Sequence, residues 1–389
     1  MQRRSEIRAR RRRLVAGIAA VCFGACVAVG LAAYDTITGI EATLAPLPAP
    51  ESVPTSTIVV DRTGRLLRPF TIADGRWRLP VTKESVDPRY LEMLVGYEDR
   101  RFASHDGIDF TAMARAAGQY LLAGGQIVSG ASTLTMQVAR LIDGAQGTRS
   151  LPAKLRQIAI ARVLERRFSK DEILTLYLTL APYGGNIEGV RAASLAYFGK
   201  EPSRLTTAEA ALLVAIPQSP EARRPDRNAA AAKAARDRVL DRLALAGVID
   251  ADAAEAAKTE RVPERRRPFP MLAPHLAEQA IAAHKDREVL ELTIDARLQA
   301  ALEALARDRA TGLGPKLSMA ILVADARSGR ILASVGSADM FQTDRRGYVD
   351  MTRAVRSPGS TLKPLIYGLA FEAGFAHPES LIEDRPTGF

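Results

Sequence analysis

The chain has almost no cysteine. Of its 389 residues only Cys22 and Cys26 are cysteines, and both fall inside an apolar run near the N-terminus. The remainder can therefore form no disulfide, no zinc–thiolate site and no thiolate nucleophile. Histidine is scarce too: His105, His275, His284 and His377 are the full set, and no two have metal-ligand spacing. Aromatics make up 5% of the chain, with one tryptophan. There is no internal repeat and no long low-complexity stretch, which excludes solenoids and an extended disordered chain.

What is present is unevenly placed. The net charge is +10. The first thirteen residues hold seven arginines (Arg3, Arg4, Arg8 and Arg10 to Arg13) against one acid, Glu6, so +6 of that charge sits in the tail. A nucleic-acid protein would spread its basic excess over a folded domain, so nucleic acid is not an expected partner. Residues 14–34 follow with no charged side chain before Asp35. About 20 apolar residues cross a bilayer core, and arginines before such a span stay in the cytoplasm. The sequence thus predicts a cytoplasmic tail over 1–13, a transmembrane helix over 14–34, and an exported remainder. The span exceeds the roughly 7–15 residues of a signal-peptide core.

Beyond the span, APLPAPESVP (45–54) closes a proline-rich linker over 35–54. STIVVDRTGRLL (56–67) reads as strand, turn at Gly64, strand. From about Pro88 to Leu245 apolar residues recur at helical period in six segments, separated by glycine-rich breaks at 124–131 and 183–186. Ser169 is the expected N-cap of KDEILTLYL. Residues 226–260 are alanine-rich and helical, and a basic RVPERRRPFP follows at 261–270. The texture then changes. Residues 292–308 read as a short strand into a helix, 318–336 as two strands joined at Ser328-Gly329, and 356–374 as a loop entering a helix. That is the start of an α/β domain.

Four clusters carry chemistry. In EDRRFASHDGID (98–109), Glu98 and Asp99 end an apolar helix. A carboxylate at an apolar edge acquires a raised pKa and can act as a general base, although acids at helix ends are also commonly just solvated. In GASTLTMQVAR (130–140), Ser132 and Thr133 open a helix after a glycine-rich loop, an arrangement that binds anions or simply caps the helix. In KLRQ, Lys154 and Gln157 share a helix face, where a cation can meet a diphosphate or only face water. In SPGSTLKP (357–364), Ser360 and Lys363 form S-x-x-K, with the amine placed to deprotonate the hydroxyl.

Taken in order, these clusters resemble the class A penicillin-binding proteins, the bifunctional peptidoglycan synthases. The resemblance runs from about Thr55 to the C-terminus. It rests on EDRRFASHDGID, GASTLTMQ, KLRQ with LERRFSKDEILTLYL, GGNIEGVRAASLAYFGK, AALLVAIPQSP and RSPGSTLKP. DGRWRLP (74–80) and STLTMQVAR point to the 1C branch of that family. The resemblance implies a mainly α chain. A lysozyme-like glycosyltransferase domain would occupy 55–245, after the single transmembrane helix. A connector would cover 246–290, and an α/β serine transpeptidase domain would begin at 291 and be incomplete at 389.

It further implies that Glu98 is the general base for polymerising lipid II onto a growing glycan strand, with undecaprenyl diphosphate leaving. Asp99, Phe102 and His105 would be substrate-binding residues that shape the cleft near Glu98. Ser132, Thr133, Gln137 and Arg140 would contact the donor, with Arg140 replacing a common lysine, and Lys154 would face the diphosphate. Where the family usually has a second glutamate, this chain has Gln157. The family admits a divalent metal, magnesium or manganese, but glutamine cannot hold one as a carboxylate does, so donor activation shifts toward Lys154 and Arg140. Met136-Gln137 stands for a frequent Gln-Gln pair. Ser360 would be the nucleophile acylated by stem peptide or β-lactams, and Lys363 its base. No S-x-N or K-T-G follows within the remaining 26 residues, so a complete transpeptidase is not expected. The implied location is the bacterial inner membrane, with the catalytic part periplasmic. The alternatives are a lysozyme-type hydrolase and an anchored, non-catalytic scaffold that binds stem peptide or β-lactam.

Overall fold

The computed structural model describes residues 24–25, 27–122, 132–144 and 150–381. The basic tail, both cysteines, most of the expected membrane span and the glycine-rich loop at 124–131 lie outside the described residues. Among the described residues no helix is long and apolar enough to cross a membrane. The chain divides into two compact units, one comprising residues 1–272 with 277–292, the other 273–276 with 293–389.

The first unit is helical with a small sheet. Helix α1 covers 27–43. It buries Ile37 in the core, and its Glu41 pairs with Arg162 (3.1 Å) and Arg166 (2.8 Å). Strands β1 (Ile58–Val60) and β2 (Leu66–Pro69) are antiparallel, as the pattern predicts. Their turn is fixed by Asp61, whose carboxylate accepts from the N–H groups of Thr63 and Arg65, and by Gly64 at φ +80°. Two-residue strands β3 (Trp77–Arg78) and β4 (Ile187–Glu188) pair in parallel.

The six periodic segments are helices α2 (Pro88–Glu98), α3 (Phe110–Leu122), α4 (Leu134–Asp143), α5 (Leu151–Arg167), α6 (Lys170–Leu180) and, after α7 (Val190–Phe198), α8 (Thr207–Ala215). Their starts follow capping chemistry. Asp87 caps α2 ahead of Pro88, and Ser169 caps α6 in a reciprocal box with Glu172. Thr206 and Glu209 do the same for α8. Helix α8 is apolar on nearly all sides, with residues 210–215 all buried, and α2, α9 (Ala229–Leu245) and α10 (Ala251–Thr259) pack around it. Its alanines let the helix axes approach closely, and each buried Leu or Val contributes about 1.5–3 kcal/mol. Helix α4 lies against α5 and α6.

Residues 246–272 stay with the first unit. Arg266 donates to the Gly184 carbonyl at 2.7 Å, Arg267 N–H to that of Ala196 at 2.7 Å, and the Phe269 ring packs at a tilt against Trp77, centroids 4.6 Å apart. After α11 (Pro274–Ala283), β5 (Val289–Glu291) runs parallel to β1 and completes a sheet of order β2-β1-β5. The strand expected to open 292–308 therefore lies just before that segment.

In the second unit α12 (Ala296–Leu313) packs on the antiparallel pair β6 (Ile321–Ala324) and β7 (Ile331–Val335), whose turn holds Gly329 at φ +71°. Gln299 exchanges both amide hydrogen bonds with the Ser334 backbone. The loop to helix α13 (Lys363–Glu372) follows.

Candidate active site

Glu98 is the last residue of α2, and its carboxylate is gripped from two directions. Gln137 Nε2, one turn into α4, donates to Oε2 at 2.8 Å, and Gln218 Nε2 donates to Oε1 at 2.7 Å. Burial pushes the Glu98 carboxyl above the usual glutamate range. The two amide hydrogen bonds, from Gln218 and then Gln137, and the charges of Arg242 and Arg223 pull against it. The side chain remains partly exposed, so a base with raised proton affinity faces a reachable surface.

Asp99 turns the other way. It is buried, accepts from His105 Nε2 at 2.9 Å and from the Leu134 N–H at 2.9 Å, and so ties the end of α2 to the start of α4. His105 Nδ1 accepts from the Gly107 N–H at 3.1 Å, which leaves Nε2 carrying the proton. Phe102 and His105 are both buried. Lys170 lies over the Phe102 ring at 4.7 Å and donates to the His105 carbonyl at 2.6 Å, so both residues support the α2–α4 junction.

Thr133 is the N-cap of α4. Its hydroxyl accepts from the Met136 N–H at 3.1 Å and donates to the Gly107 carbonyl at 2.7 Å, and is thereby occupied. Ser132 beside it is exposed and accepts from Lys154 Nζ at 2.6 Å. Burial, with the nearby Arg140 charge, depresses the Lys154 pKa. No carboxylate pairs with Arg140 or Lys154 among the described residues. Two neighbouring cations without counter-ions are suited to an anion. Gln157 is buried on α5.

The structure thus joins Glu98 to Gln137, Asp99 to His105, and Ser132 to Lys154. Ser360 lies in a short 3-10 turn at Gly359–Leu362, and Lys363 opens α13. Both are exposed, and no hydrogen bond links their side chains. Two residues of the Glu98 site escape the sequence reading: Gln218 and Arg223. Gln218 follows Pro217 where the apolar run of α8 stops, a signal for a helix end facing a cleft. Nothing in the sequence singles out Arg223.

Residues 64–244 match the family described as "Transglycosylase", and residues 319–388 match "Penicillin binding protein transpeptidase domain". The chain is 45% identical over 341 residues to "Penicillin-binding protein 1C" of Escherichia coli (strain K12), covering 88% of this chain and 44% of that protein. It is 31% identical over 352 residues to "Penicillin-binding protein 2D" of Bacillus subtilis (strain 168), covering 87% and 50%. The chain therefore spans about half the length of these curated relatives. Among solved structures it is similar to Penicillin-Binding Protein 1A from Haemophilus influenzae. That likeness has a TM-score of 0.32 and 16% identity, over 82% of this chain and 53% of that one, too loose to bear on the fold. With both domain signatures in this order, the chain belongs to the class A penicillin-binding proteins, carrying a transglycosylase segment and part of a transpeptidase domain.

Proposed function

We propose that the first unit is a lysozyme-like peptidoglycan glycosyltransferase that polymerises lipid II, with Glu98 as its general base. The observation that carries this reading is a raised-pKa carboxylate held by two amides, in a fold that also brings together two cations, Arg140 and Lys154, that no carboxylate meets among the described residues. Each Glu98 oxygen accepts one hydrogen bond and keeps a lone pair. One of them takes the proton of the acceptor sugar's 4-hydroxyl. The freed oxygen bonds to the anomeric carbon of the donor strand as the bond from that carbon to the diphosphate oxygen breaks. The leaving group departs with the electron pair, and its charge is met by Lys154 and Arg140. Glu98 then returns its proton to water.

The donor set does not fit a protein-held divalent cation. Glu98 is the one carboxylate there, Gln157 stands where a second would be, and no group of three His, Cys, Asp or Glu able to hold a metal occurs among the described residues. No step is routed through a metal. Asp99 is sealed against His105 and Leu134, which speaks against a hydrolase that flanks the bond with two carboxylates.

The arginine tail and apolar run support a single-pass inner-membrane anchor with the catalytic part outside. Ser360 and Lys363, within the segment that matches the transpeptidase family, support an acyl-transfer module acting on stem peptide and β-lactam. The test is glycan formation from lipid II by Glu98→Gln. Turnover should fall about 10²–10⁴-fold, and full activity would remove Glu98 from this role.

A further inference from the structure

The Glu98 carboxylate is held by a chain of contacts whose far end is backbone. Arg223 Nη1 donates to the Ala215 carbonyl at the end of α8 (2.7 Å) and to Gln218 Oε1 (2.9 Å), and Gln218 Nε2 donates to Glu98 Oε1 (2.7 Å). Each orientation is forced. A guanidinium only donates, so the amide oxygen must face Arg223. A carboxylate only accepts, so the amide nitrogen must face Glu98. Gln218 itself is exposed and packs into no core, so its fixed rotamer comes from these two hydrogen bonds. Pro217, itself buried and adjacent in the chain, fixes the backbone that presents it.

We propose that Gln218, locked by Arg223, is a positioning residue that sets the rotamer of the Glu98 carboxylate and keeps it aimed before the acceptor sugar arrives. This rests on the reading of Glu98 as the base, and deepens it. At Glu98 burial favours the neutral acid, while the Gln218 and Gln137 hydrogen bonds and the Arg242 and Arg223 charges favour the anion. The charged and titratable groups that face it are Arg223, Arg242 on α9, and the buried phenols of Tyr90 on α2 and Tyr177 on α6. Gln218 is neutral, so its hydrogen bond opposes burial even in high salt, where the arginine charges are screened.

The test is the pH–rate profile for lipid II polymerisation by the full chain in detergent, comparing wild type, Gln218→Ala, Arg223→Ala, the double variant and Glu98→Gln. Gln218→Ala should move the acidic limb upward by about one pH unit. It should lower kcat about tenfold or more while KM changes less than threefold. Arg223→Ala should move the limb the same way, and at high salt, where the direct pull of the Arg223 charge on Glu98 is screened, the double variant should go no further than Gln218→Ala, because the two then act in series. Arg223→Lys, which keeps the charge and a donor, should recover part of the shift. A Gln218→Ala profile superimposable on wild type, or additive effects in the double variant at high salt, would overturn the relay. Should Gln218→Ala lose all turnover, the Arg223→Ala and Arg223→Lys profiles decide by the same criterion. If Glu98→Gln is inactive and the limb does not move, the relay alone fails. If Glu98→Gln stays active, the base assignment fails first.

Discussion

Asp99 and Glu98 are adjacent, yet their carboxylates do opposite things: Glu98 faces a reachable surface between two amides, and Asp99 is sealed under the α2–α4 junction on His105 and Leu134. Removing the buried partner should be costly to the fold. Asp99→Ala leaves the His105 N–H and the Leu134 N–H without acceptors, and should lower unfolding stability by about 3 kcal/mol. Denaturant titration reads this directly. A loss under about 0.5 kcal/mol would show that the junction is held by other contacts.

The raised pKa of Glu98 has a thermodynamic sign. Its folded pKa lies above its unfolded one, so the folded state holds the proton more tightly. Ionisation therefore opposes folding as pH rises past the unfolded value near 4.3, and this penalty is complete above the folded pKa. The difference in Tm between Glu98→Gln and wild type should be more favourable to the variant at pH 8 than at pH 4. The reverse order would mean that the carboxyl is not raised.

Asp109 behaves oppositely. Its carboxylate accepts from Arg101 (3.0 Å from Nε), the Thr111 hydroxyl (2.9 Å) and the Ala112 N–H (2.7 Å), capping α3. The Arg101 hydrogen bond, first among these, holds the pKa well below the usual aspartate range. The stability it supplies is present above the unfolded pKa near 3.9 and is lost as pH falls toward the folded value. Asp109→Ala should cost about 1 kcal/mol at pH 7, and the cost should shrink steadily in acid. Equal losses at pH 7 and pH 2.5 would contradict this.

Lys154 has its pKa depressed by burial first and by Arg140 second. If its ammonium meets the leaving diphosphate, activity should fall at alkaline pH as it deprotonates. Arg140→Met should move that alkaline limb upward, toward the ordinary lysine value, while raising KM for lipid II about tenfold. An unmoved limb would place the two cations in separate environments.

The helices that surround the site were legible because each carries a long apolar stripe and a recognisable cap: Ser169 before α6 is the plainest example. Helix α7 was not, since VRAASLAYF is buried on nearly every side and shows no stripe. Gln137 was singled out by the ordered motifs as a donor contact, not as a partner of Glu98, and Gln218 reaches Glu98 across 120 residues, brought there by packing around α8. For Thr133 the capping role was readable, but its donation to the Gly107 carbonyl depends on a loop whose path no local pattern reveals. The strand at 289–291 pairs with one at 58–60, and three-residue strands that far apart leave no periodic trace.

That last pairing has a kinetic meaning. With β1 in the middle of its sheet, one side of the strand stays open until a segment more than two hundred residues downstream leaves the ribosome. A polypeptide stopped after α9 would present the N–H and C=O groups of β1 as a vacant edge, ready to recruit a stranger's strand. Expression of the catalytic region alone should therefore yield soluble protein only when the stretch through Glu291 is included, however far that stretch lies from the chemistry.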